Sequence, residues 1–351
     1  MESNKSVVFL FIFISAIFWS CGKYSMQDKG ALETNGKTQE HSPLTGYDQL
    51  IRSAILEIEN NYAGFKDKTS GREYQYQAFK TELLEEHIAA REILDSLLNE
   101  YTNYFQDDHL FIWNEKDTQE YLEKDIDPTP SFKELNTTTT YLRLPSFDVS
   151  FKKDIDSLVY ENLTSISKHD NLIIDLRGNG GGQDLAFNAL IPLLYTNPIY
   201  IHNIDFYVTK ENKTSRIDSA TQTQNMGEMV PMFGQDHLLE IFEGTKPLDK
   251  PRNIAILIDR DVASSAEQFI LYARQSRKVK LFGENTKGAI DYSNLRVVWL
   301  IDEKLAYTIP MTKSQRLPNN PIDETGIQPD FYLQNTGENA IKEVLKIIEL
   351  W

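Results

Sequence analysis

The residues of this sequence best suited to chemistry are a run of glycines and, some eighty positions later, a pair of serines. The stretch from Asn171 to Gly182, NLIIDLRGNGGG, reads as a buried strand that runs into a glycine cluster, with a helix starting near Asp184. Gly178, Gly180, Gly181 and Gly182 permit backbone angles closed to other residues and leave amide N–H groups uncovered, so the loop can cradle negative charge. Three uses compete for it. A dinucleotide fingerprint requires G-x-G-x-x-G, but the sixth place counted from Gly178 is Gln183, and a phosphate-binding P-loop requires Gly-Lys-Ser/Thr, which does not follow. An oxyanion hole needs only one or two correctly aimed N–H groups, and this loop can supply them. The same glycines also suit a tight strand-to-helix turn with no catalytic part.

A second strand, Asn253 to Asp259, leads into RDVASSAEQF, Arg260 to Phe269, which places Ser264 where a strand hands over to a helix. A hydroxyl there projects from a helix N-terminus, where the dipole favours a developing oxyanion, and the N–H of Ser265 can be a second oxyanion donor. The plainer alternative is that Ser264 and Ser265 cap the helix, with Glu267 three places after Ser264 as in a capping box.

Three blocks in order, Asp175 to Gly182, Ala263 to Phe269 and Gly283 to Gly288, resemble the tail-specific (C-terminal processing) protease family, which includes tricorn protease and the interphotoreceptor retinoid-binding protein repeats. With the closing Gly326-Ile-Gln-Pro-Asp330 the resemblance spans about Tyr141 to Leu333. It implies an α/β fold whose core is the ββα spiral shared with the Clp protease and crotonase group. It also implies a serine endopeptidase that cleaves polypeptide through an acyl-enzyme, with no cofactor or metal. The nucleophile is then Ser264 rather than Ser265, and Gly180, Gly181 and Ser265 supply the oxyanion hole.

The family's Ser-Lys branch places its lysine twenty-five residues after the nucleophile, where this chain has Ala289; Lys287, two places away, is the alternative base. The tricorn-like branch takes a histidine from the segment before the core, within an Asp-Gly-His motif, and Asp107-Asp108-His109-Leu110 matches that place. His109 is therefore the expected base, because a neutral imidazole accepts a proton near pH 7 without a large shift. His41, His87, His169, His202 and His237 have no motif around them. By the same resemblance Asp323 or its neighbour Glu324 orients the histidine, directly or through a relay. Because the dyad lysine is missing, a non-catalytic binding protein on the same scaffold is the competing reading.

These residues need elements to hold them. Short apolar runs of strand character, Thr140 to Leu144, Leu172 to Leu176, Ile254 to Ile258, Val279 to Phe282, Leu295 to Ile301 and Leu305 to Ile309, alternate with helical segments around Asp154 to Ile166, Leu185 to Tyr195, Ser265 to Arg274 and Asn339 to Leu350. That alternation predicts an α/β core over 136–335 with a covered sheet, closed by a C-terminal helix over 336–351. Helical spacing at Leu50, Ile51, Ile55, Leu56 and Ile58, and again from Leu83 to Leu98, predicts a small helical N-terminal domain over 44–135. The polar-rich stretch 197–251 reads as a flap or insertion. Only about thirty residues separate His109 from Thr140, too few for the PDZ domain that many family members carry, so 197–251 becomes the expected substrate gate.

The 351 residues carry 40% hydrophobic residues and a net charge of −16, enough for a large core and a poor match to nucleic acid. Val7 to Trp19 is a continuous apolar stretch, too short to span a bilayer as a finished helix, which needs about 20 residues, and suited to a signal peptide over 1–21. The one cysteine, Cys21, ends it in a lipobox-like setting, so the expectation is an exported bacterial lipoprotein, held to a membrane by a lipid on Cys21 and a flexible linker over 22–43.

Overall fold

The structure, a computed structural model, describes residues 46–114, 127–300, 304–335 and 337–350. The signal segment, Cys21 and the linker 22–43 lie outside these residues. Among the described residues no helix is long and apolar enough to cross a membrane.

The core is a six-stranded sheet in the spatial order Phe331–Tyr332, Val279–Gly283, Asn253–Ile258, Asn171–Asp175, Thr139–Arg143 and Ser131–Glu134, with only the last strand antiparallel to its neighbour. From Thr139–Arg143 onward each strand is laid beside its predecessor in the same direction. Right-handed crossovers then put every connecting helix on one face. The helices Lys152–Ile166 and Ser265–Ala273 and the helical turns between Asp184 and Leu194 cover that face, packing on Leu142, Leu172, Ile174, Ile254, Ile256 and Leu281. The alternate residues, Tyr141, Ile173, Ala255, Leu257 and Phe282, point to the opposite face, which the C-terminal helix Gly337–Ile348 closes through Ala340, Val344 and Ile348. Both faces are thus buried, which is why Asn171–Asp175 has no exposed residue and its centre, Leu172 to Ile174, is an unbroken apolar run.

A second sheet is built on the hairpin Tyr292–Leu300 and Leu305–Ser314. Leu305–Ser314 also pairs with Ile112–Asn114 and with Ile204–Tyr207, which in turn pairs with Met229–Pro231. The N-terminal helices Gly46–Asn61, Glu73–Glu85 and Arg91–Asn103 pack on this sheet, so Ile58, Leu98, Tyr101 and Phe105 share one cluster with Tyr292, Leu305, Tyr307 and Ile309.

The strands Ile112–Asn114 and Ser131–Glu134 fall within the 44–135 stretch read as helical, and two helices also differ from their sequence reading. The helical pattern from Leu83 to Leu98 is broken at Glu86–Ala90, where Glu86 turns to ψ 131 and the Ile88 N–H donates to Asp48 Oδ1 across the fold at 3.2 Å. The helix expected over Leu185 to Tyr195 is a 3-10 stretch, Asp184–Leu190, followed by a short α-helix, Ile191–Leu194. Pro192 lacks an N–H and is tolerated only in the first turn of an α-helix, so the α-helix must start just before it.

Candidate active site

The parallel strands Asn171–Asp175, Asn253–Ile258 and Val279–Gly283 are neighbours, so the loops leaving their C-terminal ends are neighbours too. Those loops are the glycine cluster, the Ser264 corner and the 284–289 turn. Ser264 sits immediately before the helix Ser265–Ala273 with φ 56 and ψ −123, a conformation that costs a non-glycine residue about 1–3 kcal/mol and persists only where the surroundings enforce it. The enforcement is visible. The Ser264 N–H donates to the Ala289 carbonyl at 3.1 Å and to Glu267 Oε2 at 3.0 Å, while its carbonyl accepts from the Gln268 N–H at 3.0 Å. Gly181 has φ +99, and a Cβ on it would lie 2.8 Å from Ser264 Cβ and from the Ala263 carbonyl, so only glycine lets the loop approach the corner.

Glu267 is fully buried and does more than a capping box requires. Its Oε1 accepts from Thr286 Oγ1 (2.5 Å) and the Gly288 N–H (2.9 Å), and its Oε2 from the Ala289 N–H (2.9 Å) as well as Ser264. Four donors match the acceptor sites of an ionised carboxylate, and they knit the serine corner to the 286–289 turn. In the sequence Glu267 stands as a helix cap and as part of the Ala263–Phe269 block; its spacing gives no sign of the turn it collects.

His109 comes from the other half of the fold. It follows the helix Arg91–Asn103 on a turn built by Asp107, whose Oδ1 accepts the His109 N–H at 2.9 Å and whose Oδ2 accepts the Tyr62 hydroxyl at 2.6 Å. Thr308 Oγ1 donates to the His109 carbonyl at 2.7 Å, pinning the turn to the second sheet. The ring Nδ1 lies 2.6 Å from the Tyr292 carbonyl. A carbonyl only accepts, so Nδ1 carries a proton, and in the neutral ring Nε2 holds the lone pair. Burial pushes the Asp107 carboxyl up, and the hydrogen bonds it accepts from Tyr62 and the His109 N–H pull the other way.

Ser264, His109, Gly180, Gly181, Ser265 and Lys287 all line one cavity of about 1470 Å³. The 197–251 stretch contributes Tyr200, Ile201, Arg216, Met232, Phe233 and Leu238 to its lining. The hydrogen bonds of His109 run to Asp107, Tyr292 and Thr308, and none reaches Ser264. The Gly181 N–H donates to Asn179 Oδ1 at 2.9 Å, whereas the amides of Gly180 and Ser265 have no protein acceptor. Lys287 is half exposed and its Nζ lies 3.5 Å from Asp108 Oδ2, the opposite of the desolvated setting a neutral lysine base requires. Asp323 and Glu324 lie outside the cavity lining. Glu324 is more than half exposed and pairs with Lys68 at 3.2 Å. Asp323 is buried, and its Oδ1 accepts the Ile290 and Asp291 N–H groups at 2.8 Å each, two and one residues before the carbonyl that holds His109. Burial pushes its carboxyl up to about 8, and the charges of Asp107 and Asp291 add to the shift. Among the described residues no group of three His, Cys, Asp or Glu side chains converges as a metal-ligand set.

A family model, that of peptidase family S41, matches residues 138–333. The match takes in the glycine loop, Ser264 and Asp323 and stops short of His109. Among solved structures, a candidate peptidase from Parabacteroides merdae has a TM-score of 0.58 and 17% identity, covering 86% of this chain and 96% of its own. A lipoprotein from Streptococcus agalactiae has a TM-score of 0.53 and 17% identity over 89% of this chain and 99% of its own. The tricorn protease has a TM-score of 0.52 and 12% identity over 87% of this chain and 36% of its own. Identities this low speak to the fold alone, and they agree with the mixed α/β core and its helical preface. A comparison with curated protein sequences finds no match.

Proposed function

Because the chain belongs to peptidase family S41, and so acts on polypeptide, we propose that it is a serine endopeptidase in which Ser264 is the nucleophile and His109 the general base. The observation that carries this reading is the fixed tautomer of His109: with Nδ1 donating to Tyr292, the bare Nε2 belongs to a ring that shares a cavity with Ser264. Nε2 takes the Ser264 proton as Oγ attacks the peptide carbonyl, and the imidazolium returns it to the leaving amine. Water then enters by the same route in reverse and releases the acyl group. The free amides of Gly180 and Ser265 are placed to receive the oxyanion, helped by the helix N-terminus behind Ser264. The Tyr292 carbonyl takes the orienting place usually given to a carboxylate, and Asp323 acts on the ring only through the two amides it holds. The unmade Ser264–His109 hydrogen bond is what a free enzyme often has, since such bonds tighten when substrate arrives.

Export and tethering at Cys21 are part of the same proposal. They are supported by the apolar stretch from Val7 to Trp19 that ends at Cys21, and by the likeness to a streptococcal lipoprotein.

Hydrolysis of a denatured protein should fall at least ~1,000-fold in Ser264→Ala and in His109→Ala and stay within about threefold in Lys287→Ala. A fluorophosphonate probe should label Ser264 in the parent and not in His109→Ala. Unchanged hydrolysis in Ser264→Ala sinks the assignment, and loss confined to Lys287→Ala moves the base to that residue. A folded protein that neither hydrolyses nor takes the probe is the binding protein that the missing dyad lysine otherwise suggests.

A further inference from the structure

Both proposed catalytic residues are hydrogen-bonded to one short piece of chain, Ser264 through its backbone N–H and His109 through its ring. The Ala289 carbonyl accepts the Ser264 N–H at 3.1 Å, and the Tyr292 carbonyl accepts the His109 Nδ1 proton at 2.6 Å. The placement of residues 289–292 therefore sets the separation between alcohol and imidazole.

Between the two carbonyls sits Asp291, 1% exposed. Its Oδ1 accepts from Arg316 Nη2 at 2.9 Å, and its Oδ2 accepts the N–H groups of Ile322 at 2.7 Å and Asp323 at 3.0 Å. Arg316, also buried, donates from Nε to Ser314 Oγ at 2.9 Å and reaches the Ile290 carbonyl at 3.5 Å. One ion pair thus fastens 289–292 to the end of the second sheet and to the loop that closes the core.

Stability does not account for this pair. Taking both charges out of water costs about what their attraction returns, and well-packed apolar residues of similar volume do as well or better. Burial draws the Arg316 guanidinium below its ordinary value, the direction of a charge short of solvation. Arg316 Nη1 and Asp323 Oδ2 are moreover buried without a protein partner, a cost that speaks against the pair as a stabilising device. What the pair does supply is direction, because a planar guanidinium fork fixes the plane of the carboxylate it holds.

We propose that Asp291 and Arg316 are positioning residues, which hold the Ala289 and Tyr292 carbonyls at the spacing that lets Ser264 Oγ reach His109 Nε2. The proposal rests on the serine–histidine reading and extends it to two residues that no motif marks.

The test uses Arg316→Lys and the charge-free double variant Asp291→Leu/Arg316→Met in the full chain, with turnover counted per site titrated by a fluorophosphonate. The expected result is a loss of about 100-fold in kcat per titrated site with KM within about threefold, the pattern of misplaced groups on an intact binding surface. The limb of the kcat–pH profile that reports the base should move as well. A merely structural role would lower the melting temperature and the number of titratable sites while leaving kcat per site and that limb in place. Folded variants whose kcat per site stays within about threefold of the parent overturn the proposal, and if the double variant does not fold, Arg316→Lys decides it. Ser264→Ala and His109→Ala run alongside: activity surviving in them overturns the serine–histidine reading itself, whereas its loss there with parental turnover in the clamp variants overturns only the positioning role.

Discussion

Asp323 shows how a residue's place can be read from a motif while its work cannot. By resemblance it or Glu324 orients the histidine, directly or through a relay, and its Oδ1 accepts two backbone amides next to the carbonyl that holds the ring. Its raised value, about 8, has a consequence for stability. A carboxyl with a folded pKa above its unfolded value of about 4 binds its proton more tightly in the native state, so its contribution is present at low pH and lost as pH rises through about 4 to 8. Asp323→Asn keeps an acceptor for the two amides and cannot ionise. Its melting temperature should match the parent near pH 5 and exceed it near pH 9. A variant destabilised more at pH 9 than at pH 5 would contradict the assigned burial. Asp291 and Arg316 were invisible in the sequence for a related reason: an isolated acid and an isolated base carry no spacing signal until the fold sets them face to face.

At the scale of elements the sequence was far more legible. The inner strands of the central sheet appear as apolar runs because both faces are covered, and glycines mark where two of them stop, at Gly178 and Gly283. The alternation of strand and helix was enough to put the glycine loop and Ser264 on strand ends. Less legible was how closely those ends meet. Gly181→Ala tests that closeness: the left-handed φ and the 2.8 Å approach to Ser264 Cβ mean the new methyl must push the corner aside. The expected outcome is loss of hydrolysis by ~100-fold or more, with a destabilisation of only about 1–3 kcal/mol in thermal unfolding. Parental activity would mean that the loop does not abut the nucleophile. The breaks at Glu86–Ala90 and before Pro192 escaped the pattern because one depends on a distant carboxylate and the other on a single missing N–H.

For the molecule as a whole, the helical region and the second sheet are bound by a shared cluster that joins Leu98 and Tyr101 to Tyr307 and Ile309. That union brings His109, from the first third of the chain, to the same cavity as Ser264. The Lys68–Glu324 pair at 3.2 Å and the Tyr292 hydroxyl on Asp67 at 2.9 Å cross the same junction. The proposed tether at Cys21 belongs to this scale too: Cys21→Ser should release the folded protein from the membrane fraction and abolish incorporation of labelled palmitate. Retention of both label and membrane association would exclude lipid attachment at that residue. The segment that steadies alcohol and imidazole together lies late in the sequence, at 289–292, and its fastenings later still, at 314–316 and 322–323. Since translation delivers the N-terminal part first, a nascent chain carries the histidine and the serine before it has the segments that form and align their turns. On the proposed mechanism, cutting power is then the last property the growing polypeptide acquires, and a product truncated before that point is harmless to the chains being made and exported beside it.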